Sequence, residues 1–150
     1  IYIGVENIKH LSMITAILPY YDVSPKLIVY IGNSLWSHSV LLKEPALEGG
    51  IFSNVIYGNY KNFEDSYINT FEKKPHKISS LAYDIIGLIS ILQQKNKIIN
   101  YENITNSSGF MGTNVLFRFR KNGNIERKWS SYQIKKQKII EIKKADLVFN

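Results

Sequence analysis

Residues 1–34, IYIGVENIKHLSMITAILPYYDVSPKLIVYIGNS, decide the fold class. Ile1 to Val5 reads as a short buried strand. Apolar positions at Ile8, Leu11, Ile14, Ile17 and Leu18 then recur with helical spacing, so a helix is expected from Ile8 to Leu18, capped by Asn7 and ended by Pro19. Tyr20 to Pro25 is a turn segment. Leu27-Ile28-Val29-Tyr30-Ile31 reads as a second strand, too continuously apolar to be an exposed edge, and Gly32-Asn33-Ser34 ends it. Strand, helix and strand with compact connections is the βαβ pattern, which favours parallel pairing and an α/β layer structure.

The chain continues in the same style. Leu35 to Leu42 is expected as a short helix, Glu48-Gly49-Gly50 as a turn and Ile51 to Ile56 as a third strand. A helix from Lys61 to Glu72 carries Phe63, Tyr67, Ile68 and Phe71 on one side. Lys73 and Lys74 place positive charge at its carboxyl end, and Pro75 closes it. Ser79 or Ser80 caps a longer helix, Leu81 to Gln94, with Leu81, Ile85, Leu88, Ile89 and Leu92 as its stripe. After a largely polar stretch, Gln93 to Ser108, the period changes to two. Val115–Arg120, Ile125–Gln133 and Lys138–Ile142 read as strands, and Asn122-Gly123 between two of them is a hairpin signal. A boundary is therefore expected near Pro75 to Ser80.

Composition narrows the function classes. With 150 residues, 45% of them apolar and 21% charged, the chain is long enough for a real core. The absence of cysteine excludes disulfide scaffolds and thiol chemistry. No apolar stretch approaches the roughly eighteen residues of a membrane-spanning helix. The chain opens inside an apolar run at Ile1, which leads us to expect polypeptide upstream that could carry a signal or a lipid anchor. The formal charge of +7 is concentrated. Arg118 to Lys144 holds ten basic and two acidic residues. Interleaved Phe119, Ile125, Trp129, Tyr132, Ile134 and Ile139 make this segment read as solvated faces of amphipathic strands rather than a nucleic-acid or membrane patch.

No phosphate loop, dinucleotide fingerprint, nucleophile elbow or metalloprotease helix is present. His10, His38 and His76 fall on three separate elements without metal-ligand spacing. No catalytic residue, metal site or cofactor is expected, and the chain is read as a non-enzyme. The informative positions are the strand ends, since open parallel sheets bind ligands beyond the carboxyl ends of their strands. Glu6 follows the first strand, and Asn33, Ser34 and Trp36 follow the second. Asn33-Ser34 can equally be a turn and Trp36 a core anchor. Tyr83 and Asp84 open the long helix, where an acid can serve the helix dipole or, at the mouth of a cleft, accept from an ammonium group or orient a neighbouring strand.

Four segments together are similar to type 1 periplasmic binding proteins, particularly branched-chain amino-acid binding and penicillin-binding-protein-activator-like relatives. They are Ile17-Leu18-Pro19-Tyr20-Tyr21-Asp22 leading to Leu27–Gly32 and Leu35-Trp36; Glu44 to Phe52; Phe63 to Pro75 followed by Leu81-Ala82-Tyr83-Asp84; and Gly109–Thr113 with Phe117-Arg118-Phe119 and Asn122-Gly123-Asn124. The resemblance implies an incomplete three-layer α/β lobe with a strand-rich C-terminal segment. On it, residues 1–77 are most of the second lobe, 78–115 the hinge helix and return segment associated with the first lobe, and 116–150 the crossing and C-terminal strands. It further implies a periplasmic or cell-envelope protein that closes two lobes on a small polar ligand such as an amino acid. Its partner would be an ABC permease or a peptidoglycan synthase, and no nucleic acid is expected. Glu6 is the acid nearest a position that would meet a ligand ammonium. The alternatives are a synthase regulator acting through protein contacts without a small ligand, an enzyme domain, and a basic nucleic-acid-binding module.

Overall fold

The computed structural model describes residues 1–55, 57–76, 78–94 and 99–149. In chain order, β1 (Tyr2–Ile3), α1 (Ile8–Ile17), β2 (Ile31–Gly32) and β3 (Ile51–Asn54) precede α2 (Tyr57–Phe71), α3 (Ser79–Gln94) and α4 (Tyr101–Ile104). β4 (Phe110–Met111), β5 (Leu116–Phe119), β6 (Ile125–Arg127), β7 (Ser130–Lys135) and β8 (Lys138–Lys143) follow. The chain forms two compact units, Ile1–Asn54 with Ser130–Lys144, and Val55–Trp129 with Ala145–Asn150.

The first unit is a five-stranded sheet in the order β1-β2-β3-β7-β8. Its first three strands are parallel, as the βαβ reading requires, while β7 runs antiparallel to β3 and β8 to β7. Asn7 caps α1 as expected: its extended backbone turns Oδ1 toward the Lys9 amide, 2.7 Å away. Pro19 sits in a 3-10 turn, Leu18–Tyr21, that Asp22 closes in the left-handed region at φ 62°. Ile3, Leu11, Trp36, Phe52, Tyr132 and Ile134 form the core between one face of the sheet and the elements packed on it.

Three expectations change here. The strand expected over Leu27–Ile31 is shorter, because the amides of Leu27 and Ile28 both turn back to the Ser24 carbonyl at 2.9 and 3.0 Å. Ladder pairing starts only at Ile31, and that segment alternates: Tyr30 is buried while Val29 and Ile31 are exposed. In place of a helix over Leu35–Leu42, the link to β3 contains 3-10 turns at Ser34–Ser37, Leu41–Lys43 and Pro45–Leu47. The three-layer expectation is met only in part by the first unit, which is layered on one face. The cross-strand row Tyr2, Ile31, Ile51, Gln133 and Ile140 runs along the other face, where Tyr2, Ile31 and Ile140 are exposed.

The second unit holds α2, α3, α4 and an antiparallel sheet in the order β4-β5-β6. α2 starts at Tyr57 rather than Lys61, and Ile56 of the expected third strand lies outside the described residues. Leu88 and Leu92 of α3 pack on Phe117 of β5, which makes an edge contact with Phe119 at 5.8 Å between ring centres. The Asn122-Gly123 signal is met. Gly123 takes φ 84°, a conformation that side chains disfavour, and the Arg120 amide bonds the Asn124 carbonyl at 2.8 Å to close the β5–β6 hairpin. The expected strand Ile125–Gln133 is instead two strands in two sheets: β6 ends at Arg127 and β7 begins at Ser130.

Candidate functional site

At the carboxyl ends of β1 and β2 the Asn33 side chain joins two loops. Its Nδ2 donates to the Val5 carbonyl at 3.1 Å, and its Oδ1 accepts from the Leu35 amide at 3.1 Å, starting the 3-10 turn Ser34–Ser37. One short amide therefore fixes both loops relative to each other. Ser34 is exposed, with its carbonyl accepting from the Ser37 hydroxyl at 2.7 Å. Glu6 is exposed beside Val5. Glu6, Asn33 and Ser34 thus come to one edge of the sheet, a carboxylate and a hydroxyl held by a fixed pair of loops.

Trp36 is placed elsewhere. It is fully buried in the core, and its indole lies against two glycines. A Cβ on Gly32 would stand 2.0 Å from Trp36 Cε2, and one on Gly50 would stand 2.5 Å from Cζ3. Trp36 is the floor under the loop, in keeping with the core-anchor reading. Its Nε1 is buried without a hydrogen-bond partner.

Tyr83 and Asp84 belong to the second unit. α3 begins at Ser79, so Asp84 lies beyond its first turn and the helix-dipole reading does not apply. Asp84 Oδ1 instead accepts from both the amide and the hydroxyl of Thr113, each at 2.7 Å. Next to it Asn114 Nδ2 donates to Ser80 Oγ at 3.1 Å. Asp84 Oδ2 and Asn114 Oδ1 are buried without partners. Sequence reasoning singled out Asp84 but not its partner Thr113 or the Asn114–Ser80 pair, because nothing in the local pattern announces a bond across 29 residues. Tyr83 is exposed, and its ring rests on Phe63 at 5.2 Å.

The basic segment is divided by the fold. Arg118 and Arg120 pair with Glu126 at 2.8 and 2.5 Å, and Lys128 reaches Asp146 at 3.4 Å, all in the second unit. The two arginines, Arg118 foremost, hold the Glu126 carboxyl below its ordinary range. Lys135 to Lys144 belongs to the first unit. Among the described residues no group of three His, Asp or Glu side chains is placed to hold a metal ion. No helix among them is long and apolar enough to cross a membrane.

The fold is distantly similar to type 1 periplasmic binding proteins. A leucine-binding protein, LivK, from Thermotoga maritima matches 99% of this chain and 44% of its own at 15% identity and a TM-score of 0.54. The C-domain of LpoA from Haemophilus influenzae, a regulator of PBP1A, matches 94% of this chain and 43% of its own at 16% identity and a TM-score of 0.59. LivJ from Streptococcus pneumoniae, a branched-chain amino acid transporter substrate-binding protein solved with isoleucine, matches 97% and 44% at 15% identity and a TM-score of 0.51. The chain spans less than half the length of these structures. No family model and no curated protein matches its sequence. Solved structures that share this fold thus include both amino-acid-binding transport proteins and a regulator of PBP1A.

Proposed function

We propose that the chain is part of a non-catalytic, two-lobed binding protein of the periplasm or cell envelope that closes on a small polar ligand such as an amino acid. On this reading the first unit is the body of the second lobe, completed by β7 and β8. Residues 78–115, with α3, α4 and β4, return to the first lobe, and the chain crosses back from residue 116, through β5. Closure is a shift between open and closed populations, driven by contacts that a ligand makes only when both lobes reach it. The observation that supports the reading is the Asn33 link at the carboxyl edge of the parallel strands, which ties the loop that carries Glu6 to the loop that carries Ser34. Such an edge is where open α/β sheets take ligands. Glu6 would receive a ligand ammonium and Ser34 would donate to a polar group. ABC-permease delivery and lipid anchoring are parts of the same proposal.

The test is calorimetric titration of the full-length protein with leucine, isoleucine and valine. Saturable binding that Glu6→Gln weakens on the order of tenfold or more, with an unchanged melting temperature, supports the proposal. A second reading is regulation of a peptidoglycan synthase through protein contacts. It is favoured by the exposed Tyr2, Ile31 and Ile140 on one sheet face, an apolar row suited to a protein surface. Saturable synthase binding, lost in Ile31→Lys, together with silence toward all three amino acids, would replace the first reading by the second.

A further inference from the structure

A groove of about 640 Å³ opens at the other edge of the first unit's sheet. Pro25 and Lys26, ahead of β2, line it together with residues from Leu42 to Glu48, ahead of β3, and the β7–β8 turn Lys136-Gln137. Its position is therefore the amino ends of the parallel strands, away from Glu6 and Asn33. Pro25, Leu42 and Pro45 make an aliphatic lining, and Lys26, Lys43 and Lys136 are exposed around it. Among the described residues none of these three lysines is in an ion pair. Glu44 and Glu48 are the acids present, and Glu48 is committed: both its carboxylate oxygens accept from the Lys136 amide, at 3.0 and 3.1 Å.

The turn adds an independent observation. Lys135 pairs with Lys138, leaving a two-residue hairpin loop in which Lys136 and Gln137 both take the left-handed conformation, φ 51° and 59°. That loop geometry ordinarily selects Asn-Gly, since residues with long side chains disfavour positive φ. Two long polar side chains occupy it here, held by Glu48, and both line the groove. Backbone strain kept where side chains line a cavity points toward function rather than stability.

We propose that this groove docks an acidic segment of a partner protein, an extended peptide whose carboxylates meet Lys26, Lys43 and Lys136 while its aliphatic side chains cover Pro25, Leu42 and Pro45. The lining carries three lysines against Glu44 and Glu48, a net charge of +1 with Glu48 turned onto the Lys136 amide, and this positive balance selects the acidic partner. The lining selects a peptide, because a bare anion would leave the aliphatic wall wet and a bilayer surface cannot follow a concave site. A second copy of this chain, at +7, is repelled.

The test titrates the ¹⁵N-labelled full chain with a short peptide of alternating Glu and Leu and with its Gln–Leu counterpart. The acidic peptide is expected to shift the amides of Lys43, Lys136 and Gln137. Its affinity should fall on the order of tenfold in Lys43→Glu/Lys136→Glu. The milder Lys43→Gln should weaken it less, with an unchanged melting temperature. Gln137→Gly relaxes the turn, so it should raise the melting temperature while weakening the peptide. Equal binding of the Gln–Leu peptide, shifts confined to other residues, or indifference to both charge variants would overturn the proposal. So would displacement of the peptide by inorganic phosphate or phosphatidylglycerol vesicles at matched ionic strength, which would mark an anion site or a membrane surface instead.

Discussion

The contact between Gly32 and Trp36 fixes the floor of the candidate ligand edge, and a single methyl group tests it. Adding a Cβ at Gly32 brings it within 2.0 Å of the indole, far inside van der Waals contact, so Gly32→Ala must displace the ring or the strand. Overpacking of this kind costs about 1–3 kcal/mol, and a urea denaturation midpoint lowered to that extent is the expected outcome. Trp36→Phe in the same chain should recover part of the loss, since the smaller ring vacates the contested space. An unchanged midpoint for Gly32→Ala would mean that the indole is not seated there. At this scale the sequence is legible in part. Asn7 as a cap and Gly123 in a hairpin follow from local backbone chemistry, so nearest neighbours suffice to find them. Trp36 next to Gly32-Asn33 reads equally as wall or anchor, because its direction depends on Gly50, far along the chain. Asp84 is harder still: its partner Thr113 is supplied only when the return segment folds back on α3.

Among elements, α1 and α3 lie close to where periodicity places them, because a helical stripe is written in one continuous stretch. Strands fare differently. Ile125–Gln133 alternates like one strand, yet the chain leaves the β4-β5-β6 sheet after Arg127 and enters the other sheet at Ser130. Period two is the same in both sheets, so the change of partner leaves no mark in the pattern. The β5–β6 hairpin carries its own electrostatic prediction. Arg118 and Glu126 are cross-strand partners, with Arg120 adding a second guanidinium, and the Glu126 carboxyl is held below its ordinary value of 4.5. A carboxyl depressed in the folded state contributes stability above its unfolded pKa, and that contribution is lost as pH falls through the folded value. Glu126→Gln should therefore be less stable than the parent by a constant margin from neutral pH down to about pH 5. The margin should close in more acidic solution, as paired thermal melts across that range would read. A margin independent of pH would show that the pair contributes geometry rather than charge.

For the molecule as a whole, the distribution of charge weighs more than its sum. A net charge of +7 with a basic run from Arg118 to Lys144 is the composition of a nucleic-acid binder, and that run is shared between the two units. Arg118, Arg120 and Lys128 are paired with acids in the second unit, while Lys135 to Lys144 lies along β7 and β8 of the first. Duplex binding by counterion release scales with the number of phosphates neutralised together, with a slope of roughly −0.9 per phosphate in the logarithmic salt dependence. A surface engaging roughly three phosphates should lose only tens-fold in affinity between 50 and 200 mM salt, against about 10³–10⁵ for a site with 6–10 contacts. Fluorescence anisotropy with a random-sequence duplex at those two salt concentrations measures the difference. A thousand-fold fall would mean that the basic residues act as one surface and would favour the nucleic-acid reading over the envelope one. A shallow fall leaves the lysines as solvated strand faces and individual anchors, which is the arrangement that the groove beside Lys26, Lys43 and Lys136 requires.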